Sequence, residues 1–174
     1  EIHALEKEIR VIIDPALLPS PGLGILGHPL PGISLSSCLS GGREFENCVT
    51  QFFGNTDFAT QNPQVYSGKG HNGIDFRAGI GTEVFSSYSG KVRATGNTDE
   101  QCRGVSYGRW ILIDHPNNIS TLYTHLLRNT VLAGDEVKKG ERIGYTGQTG
   151  YATGPHLHFA VFATQAVQIT SLNP

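Results

Sequence analysis

The sequence predicts a mostly β fold in which antiparallel strands form the sheet. The chain has 174 residues, of which 22 are glycines and only 16% are charged. A helical bundle would instead be rich in Ala, Glu, Lys and Leu. From about Gly27 onward, short apolar runs are separated by Gly, Asn and Ser and show no sustained helical period. Since the length suits one domain, we expect a single β domain preceded by a short N-terminal helix.

Residues 1–13 carry the pattern of an amphipathic helix. Their apolar residues are spaced by three, four and three positions, as in a coiled-coil seam; they are Ile2, Leu5, Ile9 and Ile12. Two heptads fit a single helix lying on the domain as well as the end of a coiled coil, which would bring a coiled-coil partner. Proline cannot donate a backbone hydrogen bond within a helix, so we expect the helix to end at Pro15.

A proline-rich stretch separates this helix from the domain. Five of the nine prolines occur between Pro15 and Pro31. Proline fixes the backbone angle φ and stiffens an extended chain. We predict a semi-rigid linker or extended lead-in over residues 14–28, followed by one domain over residues 29–174.

Three strands of the domain are clearest, because turn residues bound each apolar run. They lie at residues 110–113, 119–126 and 157–162. These runs alternate with short polar segments rather than with helical patterns. Antiparallel pairing is therefore expected.

An internal repeat favours a particular arrangement of further strands. Residues 81–84 (GTEV) lead into residues 90–92 (GKV), and residues 134–137 (GDEV) lead into residues 140–143 (GERI). The repeat predicts that a strand, a tight glycine turn and a second strand occur twice.

Charge and hydropathy exclude two classes of partner. The chain has 13 Lys and Arg against 15 Asp and Glu, which gives a formal net charge of −2. A balance this close to zero supplies no broad basic field for nucleic acid or an anionic membrane. No run approaches the roughly 18 apolar residues of a membrane helix. We expect no nucleic-acid partner and no transmembrane segment in this chain.

The three cysteines leave their pairing open. Cys38 and Cys48 are close enough in sequence to close a short loop, which would suit an oxidising compartment and leave Cys102 single. Three pairings are possible, and reduced buried thiols are an equal alternative. Because no C-x-x-C spacing occurs, a cysteine-based zinc site is not expected.

Two histidines share one face of the last clear strand. His156 and His158 alternate with Leu157, Phe159 and Val161, and alternate side chains of a strand point to the same side. The three apolar residues must face the core, so both imidazoles project from the opposite face. Their Cα atoms would lie about 6.6 Å apart, which allows one to bind a metal and the other to transfer protons.

A third histidine is expected on a polar face of the strand at residues 119–126. Alternation places Tyr123 and His125 opposite Leu122 and Leu126. By contrast, His115 follows a strand at a turn, and we expect it to serve that turn rather than the reaction.

His71 and Asp75 form a candidate metal-binding pair only if the chain bends between them. In a straight strand their Cα atoms would be roughly 13 Å apart, too far to share one ion at zinc–ligand distances of about 2.0–2.2 Å. Residues 72–73 are Asn-Gly, and glycine adopts positive φ angles that would permit a bend. Two neutral histidines and one aspartate leave a fourth position for water, which is typical of catalytic zinc.

These motifs resemble those of the lysostaphin-type (LytM-like) zinc metallopeptidases, which cut peptidoglycan peptides. Residues 71–75 (HNGID) match the H-x-x-x-D motif of that family, and residues 156–158 (HLH) match its H-x-H motif. Residues 123–126 (YTHL) resemble its third signature, and residues 146–150 (TGQTG) its glycine-rich approach. The resemblance covers about residues 29–163.

The resemblance implies a site and a fold. It implies that His71, Asp75 and His158 bind one zinc ion, and that His156 and His125 act on the proton and the developing oxyanion. It also implies a β-sheet groove in a barrel-sandwich hybrid with a duplicated hybrid motif, into which the internal repeat fits. The expected activity is a zinc metalloendopeptidase acting on peptidoglycan peptides, in the periplasm or outside the cell.

Departures from the family pattern leave the groove shape and the cleaved bond open. His28 stands where the family often has an aromatic residue, and the Cys38–Cys48 insert and residues 55–70 look individual. One alternative is a cell-envelope regulator of the same fold that activates another cell-wall hydrolase, although such proteins usually lack the ligands. Another is a biotinyl or lipoyl carrier domain, since residues 134–141 resemble the turns of such barrels.

Overall fold

The computed structural model describes residues 9–11, 26–32, 38, 47–66 and 68–169. Antiparallel strands dominate these residues, so the predicted mostly β fold is confirmed. The strands are β1 (Ile9–Val11), β2 (Val49–Gln51), β3 (Ile74–Arg77), β4 (Glu83–Phe85), β5 (Gly90–Asn97), β6 (Arg109–His115), β7 (Ile119–Thr124), β8 (Leu126–Asn129), β9 (Glu136–Val137), β10 (Arg142–Thr146), β11 (His156–Ala163) and β12 (Val167–Ile169).

Two short α-helices of the described residues lie between β2 and β3. Helix α1 spans Asp57–Gln61 and helix α2 spans Pro63–Tyr66. The hydroxyl of Thr56 accepts a hydrogen bond from the amide of Ala59 at 3.2 Å, which caps the first turn of α1. Within the described ranges, no helix has the length and apolar character needed to cross a bilayer. Single 3-10 turns occur at Thr98–Glu100, Pro116–Asn118 and Thr164–Ala166.

The helix predicted for residues 1–13 is wrong at Ile9–Val11. This segment is strand β1, and it pairs antiparallel with β12 so that Ile9 lies opposite Ile169. Two of its three residues are β-branched, which suits a strand, and pairing with β12 overrides the helical spacing. The rest of the predicted helix and residues 12–25 of the helix and linker lie outside the described residues. A coiled-coil partner has no support in the described part of the chain.

The chain joins the domain from Leu26 onward. Leu26 packs against the main hydrophobic core of the domain. The amide of Gly27 donates to the carbonyl of Ser87 at 2.6 Å, and the amide of Phe85 donates to the carbonyl of Pro29 at 2.9 Å. Leu26 and Gly27, assigned to the linker from sequence, therefore pack as part of the domain.

The described strands form three sheets. The largest has seven strands in the order β2-β3-β11-β7-β6-β5-β9, and its neighbours are all antiparallel. A three-stranded sheet has the order β4-β10-β8, and a two-stranded sheet pairs β1 with β12. The large sheet is open, with β2 and β9 at its edges, and does not close into a barrel.

The internal repeat appears as two strand pairs that exchange partners. The first repeat forms β4 and β5, and the second forms β9 and β10. Strand β4 pairs with β10, and β5 pairs with β9. The equivalent glycines that open the repeats, Gly81 and Gly134, both have left-handed φ angles of 87° and 98°. Each repeat thus supplies one strand to each of two sheets.

The central strands of the large sheet are buried on both faces. One face carries the main core cluster, which includes Leu157, Phe159 and Tyr123. The other carries a second cluster, which includes Leu122 and Ala160. The predicted core positions of Leu157 and Phe159 are confirmed, but the one predicted for Val161 is wrong, because that side chain is 45% exposed. The prediction that Tyr123 lies on a polar face is wrong, because hydrogen bonds inside the core satisfy its hydroxyl.

A buried polar network provides those hydrogen bonds. The amide of Ser87 donates to the Tyr123 hydroxyl at 2.8 Å, and the Thr121 hydroxyl donates to the same oxygen at 3.0 Å. Nε2 of His115 lies 2.6 Å from the Thr121 hydroxyl oxygen, and Nδ1 of His115 donates to the carbonyl of Ser89 at 3.1 Å. Burial lowers the pKa of His115. His115 thus holds the turn after β6 against the core, as the sequence predicts.

One of the possible cysteine pairings is present. Cys38 and Cys48 form a disulfide with a Cα–Cα distance of 5.2 Å. Cys102 is a free, exposed thiol. The disulfide fixes residue 38 beside the start of β2.

Candidate metal centre and active site

A bend in the chain brings His71 and Asp75 together. His71 lies before β3 and forms a bridge with Gly54, in which each amide donates to the other residue's carbonyl at 2.8 Å. Strand β3 begins at Ile74. Nε2 of His71 therefore reaches Oδ1 of Asp75 at 3.2 Å, although a straight strand would hold the two residues roughly 13 Å apart. The predicted bend at residues 72–73 is present.

Gly73 is required at this bend for space rather than for an unusual backbone angle. Its φ lies outside the left-handed region. A Cβ atom at this position would lie 2.6 Å from the carbonyl oxygen of Phe159 and 2.7 Å from Cε1 of His158. The expectation that glycine supplies a positive φ here is therefore wrong. Glycine instead lets the backbone pass directly against the imidazole of His158.

Strand β11 brings His158 to the same point from the other side. His158 lies opposite Asp75 in the β3–β11 ladder, and opposite residues of an antiparallel ladder share a face. Nδ1 of His158 is 2.9 Å from Oδ1 of Asp75 and 2.9 Å from Nε2 of His71. The exposed fractions of His71, Asp75 and His158 are 2%, 8% and 4%. The three residues predicted as metal ligands thus meet in one buried cluster.

The side chains of this cluster have protonation states that suit metal binding. Nδ1 of His71 donates to the carbonyl of Phe52 at 2.9 Å, which leaves the lone pair on Nε2. Burial raises the pKa of Asp75, but the close imidazoles of His158 and His71 outweigh this effect and hold the pKa well below its usual range. Burial lowers the pKa of His158. An ionised carboxylate and a neutral imidazole are the forms that bind metal ions.

The donor set fits a zinc ion. The three donor atoms are 2.9 to 3.2 Å apart, close to the roughly 3.3 Å edge of a tetrahedron with metal–ligand bonds of about 2.0–2.1 Å. The lone pair of His71 Nε2 faces the Asp75 carboxylate, an arrangement that a cation between them stabilises. Three protein ligands leave one position for water or substrate, as in catalytic zinc sites.

Two further imidazoles border the cluster. Nε2 of His156 lies 3.8 Å from Oδ1 of Asp75, and its Nδ1 donates to the carbonyl of Gly154 at 2.9 Å. Nδ1 of His125 donates to the carbonyl of Thr149 at 2.8 Å, and the ring centroids of His125 and His156 are 4.5 Å apart. Since Nδ1 carries the proton in both rings, each Nε2 is free to accept one.

His125 reaches this position through an unusual backbone angle. Strand β7 ends at Thr124 and β8 begins at Leu126. Regular alternation would place His125 on the core face with Tyr123. The left-handed φ of 60° at His125 interrupts the alternation and turns the imidazole toward His156. The expectation that alternation alone places His125 beside the other histidines is wrong.

The pKa of His125 is strongly perturbed. Burial, reinforced by the nearby imidazoles of His156 and His158, lowers this pKa to about 3. At neutral pH the ring is therefore uncharged. It can donate a hydrogen bond through Nε2 only after it gains a proton.

An open cleft of about 250 Å³ lies beside Asp75 and His156. Its other lining residues come from β2, from α1 and from the loop before β11, and all of them are uncharged. They are Thr50, Gln51, Phe58, Thr153, Gly154 and Pro155. The cleft leads from the surface to Asp75 and His156.

Tyr107 also borders the metal cluster, although no sequence motif indicates it. Its ring lies 5.7 Å from that of His158, and its hydroxyl accepts a hydrogen bond from Nδ2 of Asn72 at 2.6 Å. Tyr107 stands between Ser106 and Gly108, both of which have left-handed φ angles. The glycine there indicates a turn, but no local pattern indicates that this turn packs against the metal cluster.

The family model described as "Peptidase family M23" matches residues 69–171, which is more than half of the chain. The peptidoglycan DD-endopeptidase ShyA of Vibrio cholerae is 43% identical over 89 residues, which are 51% of this chain and 19% of that protein. The chain thus spans about a fifth of the length of this relative.

Solved structures give the same result. The catalytic domain of the prophage-encoded M23 protein EnpA from Enterococcus faecalis aligns with a TM-score of 0.54 and 27% identity, over 73% of this chain and 85% of that one. A zinc-containing peptidase from Vibrio cholerae aligns with a TM-score of 0.56 and 27% identity, over 85% of this chain and 41% of that one. The resemblance drawn from the histidine motifs is confirmed, and the chain belongs to peptidase family M23.

Proposed function

We propose that this chain is a zinc-dependent endopeptidase domain that hydrolyses peptide bonds of bacterial peptidoglycan. The observation that carries the proposal is the cluster of His71, Asp75 and His158 beside two further imidazoles at an open cleft. The similarity to a peptidoglycan DD-endopeptidase supports the substrate class. Because peptidoglycan lies outside the cytoplasmic membrane, the proposed location is the cell envelope, periplasmic or extracellular.

The metal would be held by Nε2 of His71, Oδ1 of Asp75 and Nδ1 of His158. Bound zinc supplies Lewis acidity, which lowers the pKa of water from 15.7 toward about 7 and makes it a nucleophile at neutral pH. Asp75 contributes one negative charge, so the three ligands leave a net charge of about +1 at the site.

His156 is the proposed general base. Its Nδ1 proton is fixed on the carbonyl of Gly154, so Nε2 presents its lone pair close to Asp75. This nitrogen accepts a proton from the attacking water and then delivers it to the leaving amine. Both transfers use one atom, because the tautomer is locked by the backbone.

His125 is the proposed partner of the oxyanion. Its low pKa keeps it neutral before substrate binds. Negative charge that develops on the substrate oxygen favours the protonated ring. The ring takes up one proton from solvent as this charge develops, and Nε2 then donates a hydrogen bond to that oxygen, at a stage where one such donor contributes about 3 kcal/mol.

Digestion of purified peptidoglycan tests this function. Zinc-loaded protein is incubated with peptidoglycan, with and without a chelator, and the new amine ends are identified by mass spectrometry. We expect soluble fragments with new amine ends, which the chelator suppresses and added zinc restores. If no fragments form at any zinc concentration, the endopeptidase proposal fails and the regulator alternative is favoured.

A further inference from the structure

Arg77 lies on β3 beside His156, the proposed base, which lines the cleft. Arg77 is opposite His156 in the β3–β11 ladder, two positions from the pair formed by Asp75 and His158. Opposite residues, and alternate residues of one strand, project from the same face. The four side chains therefore share the groove face. Cβ atoms of opposite residues lie about 4.5–5.5 Å apart, so the Arg77 side chain starts directly beside that of His156.

The charge of Arg77 is free to meet a ligand. Its side chain is exposed, whereas its neighbours Asp75 and Phe76 are buried. Across the described ranges, no ion pair or side-chain hydrogen bond connects Arg77 to another residue. The carboxylate on the same face, Asp75, is held by His71 and His158. Arg77 thus has no internal counter-charge among these residues.

The cleft next to Arg77 is otherwise poor in charge, so the charge of Arg77 affects which ligands bind. Apart from Asp75 and His156, the cleft is lined by hydroxyl, amide, apolar and glycine residues. These groups have little preference for one sign of charge. A guanidinium binds a carboxylate through paired, charge-assisted hydrogen bonds. An exposed arginine at the edge of such a cleft therefore selects anionic peptides.

We propose that Arg77 binds a carboxylate of the substrate peptide, within about two residues of the bond that is cut. Asp75 and Arg77 are two positions apart on β3, and an extended peptide also advances about 3.3 Å per residue. The distance along the strand from Asp75 to Arg77 therefore matches two residues of a bound extended peptide. Peptidoglycan stem peptides carry carboxylates near their crosslinks, whereas glycine bridges carry none. Arg77 thus directs the enzyme toward stem-peptide crosslinks. This inference rests on the proposed function.

Two peptides that differ in one group test the proposal. One is a crosslinked stem peptide with a free carboxylate next to the scissile bond, and the other carries a carboxamide there. We expect the zinc-loaded protein to show about a tenfold higher kcat/KM for the carboxylate peptide, mainly through a lower KM. Arg77→Gln abolishes this preference by slowing cleavage of the carboxylate peptide alone, and Arg77→Lys keeps part of it.

Lys91→Gln is the matched control. It removes the same charge from an exposed residue on β5, four strands from β3 in the sheet order, or roughly 19 Å. It should leave the preference unchanged. An equal kcat/KM for the two peptides in the parent protein, or a full preference in Arg77→Gln, overturns the role of Arg77 without touching the proposed function.

If the proposed endopeptidase function is wrong, the two-peptide experiment gives a different result. In that case the zinc-loaded protein cleaves neither peptide, nor peptidoglycan. The Kd values of the two peptides, measured by calorimetry for the parent protein and Arg77→Gln, then test Arg77 independently. The proposal is supported if the parent protein binds the carboxylate peptide with a tenfold lower Kd and if Arg77→Gln removes this difference. Equal Kd values for the two peptides in the parent protein overturn it.

Discussion

Nε2 of His71 and Nδ1 of His158 lie 2.9 Å apart, although the two residues are separated by 87 positions in the sequence. Their ring centroids are 4.9 Å apart, and both nitrogens also face the carboxylate of Asp75. The contact depends on the bend before β3 and on the register of β11. The three side chains therefore respond to mutation as one unit.

Removal of His158 should abolish zinc binding. His158→Ala leaves two donors and an uncompensated buried carboxylate, so we expect zinc affinity to fall by at least about 100-fold. Competition with a chromogenic chelator measures this affinity. His28→Ala removes an exposed imidazole and should bind zinc like the parent protein. Retention of one tightly bound zinc ion by His158→Ala would contradict the ligand assignment.

Removal of His156 should separate metal binding from activity. His156→Ala keeps the three ligands but loses the nitrogen that accepts the proton, so we expect normal zinc content and a loss of about 10²–10⁴-fold in kcat. Elemental analysis and peptide cleavage assays measure the two quantities on the same sample. Full activity in this variant would rule out His156 as the base.

A methyl group at Gly73 should disturb the metal cluster. Gly73→Ala places Cβ against the Phe159 carbonyl and the His158 ring, and we expect a loss of about 1–3 kcal/mol in the free energy of unfolding together with weaker zinc binding. At Gly79 the corresponding Cβ would meet one atom, at 3.9 Å. Gly79→Ala therefore serves as the control in denaturant titrations. Equal stability of the two variants would disprove the steric requirement.

The stability contributed by His115 should decrease as the pH falls. Burial lowers the pKa of this imidazole in the folded state, so the unfolded chain binds a proton more readily. The contribution is present above the unfolded pKa of about 6.5 and is lost as the pH falls through the folded pKa. His115→Gln should therefore be less stable than the parent protein at pH 7.5, with a smaller difference at pH 5. Thermal unfolding at both pH values measures the difference in stability between the two proteins. The same difference at both pH values would contradict the lowered pKa of His115.

The identity of the metal cluster could be predicted from sequence because its residues lie in short motifs. Strand alternation fixes the faces of His156 and His158, and the four-residue spacing of His71 and Asp75 requires a bend. The physical reason for Gly73 could not be predicted, because it depends on a residue of β11 that is distant in sequence. Steric requirements of this kind appear only once the strands are paired.

The predictions that were wrong concern places where the backbone departs from the regular geometry that its local sequence favours. Nothing in the local pattern shows that His125 adopts a left-handed φ, so alternation assigned Tyr123 to the wrong face. At Ile9–Val11, a helical spacing gave way to pairing with β12. In both cases a tertiary contact outweighed a weak local preference.

The exchange of partners between the repeats has a consequence for how the chain folds. Because β4 pairs with β10 and β5 pairs with β9, neither repeat can complete its hydrogen bonds by itself. Nucleation must await closure of a long loop, which is slow for topologies with distant contacts. A cut in the exposed segment near Gly104 would give two fragments that stay unfolded when separate. Mixing them should restore the native domain by complementation.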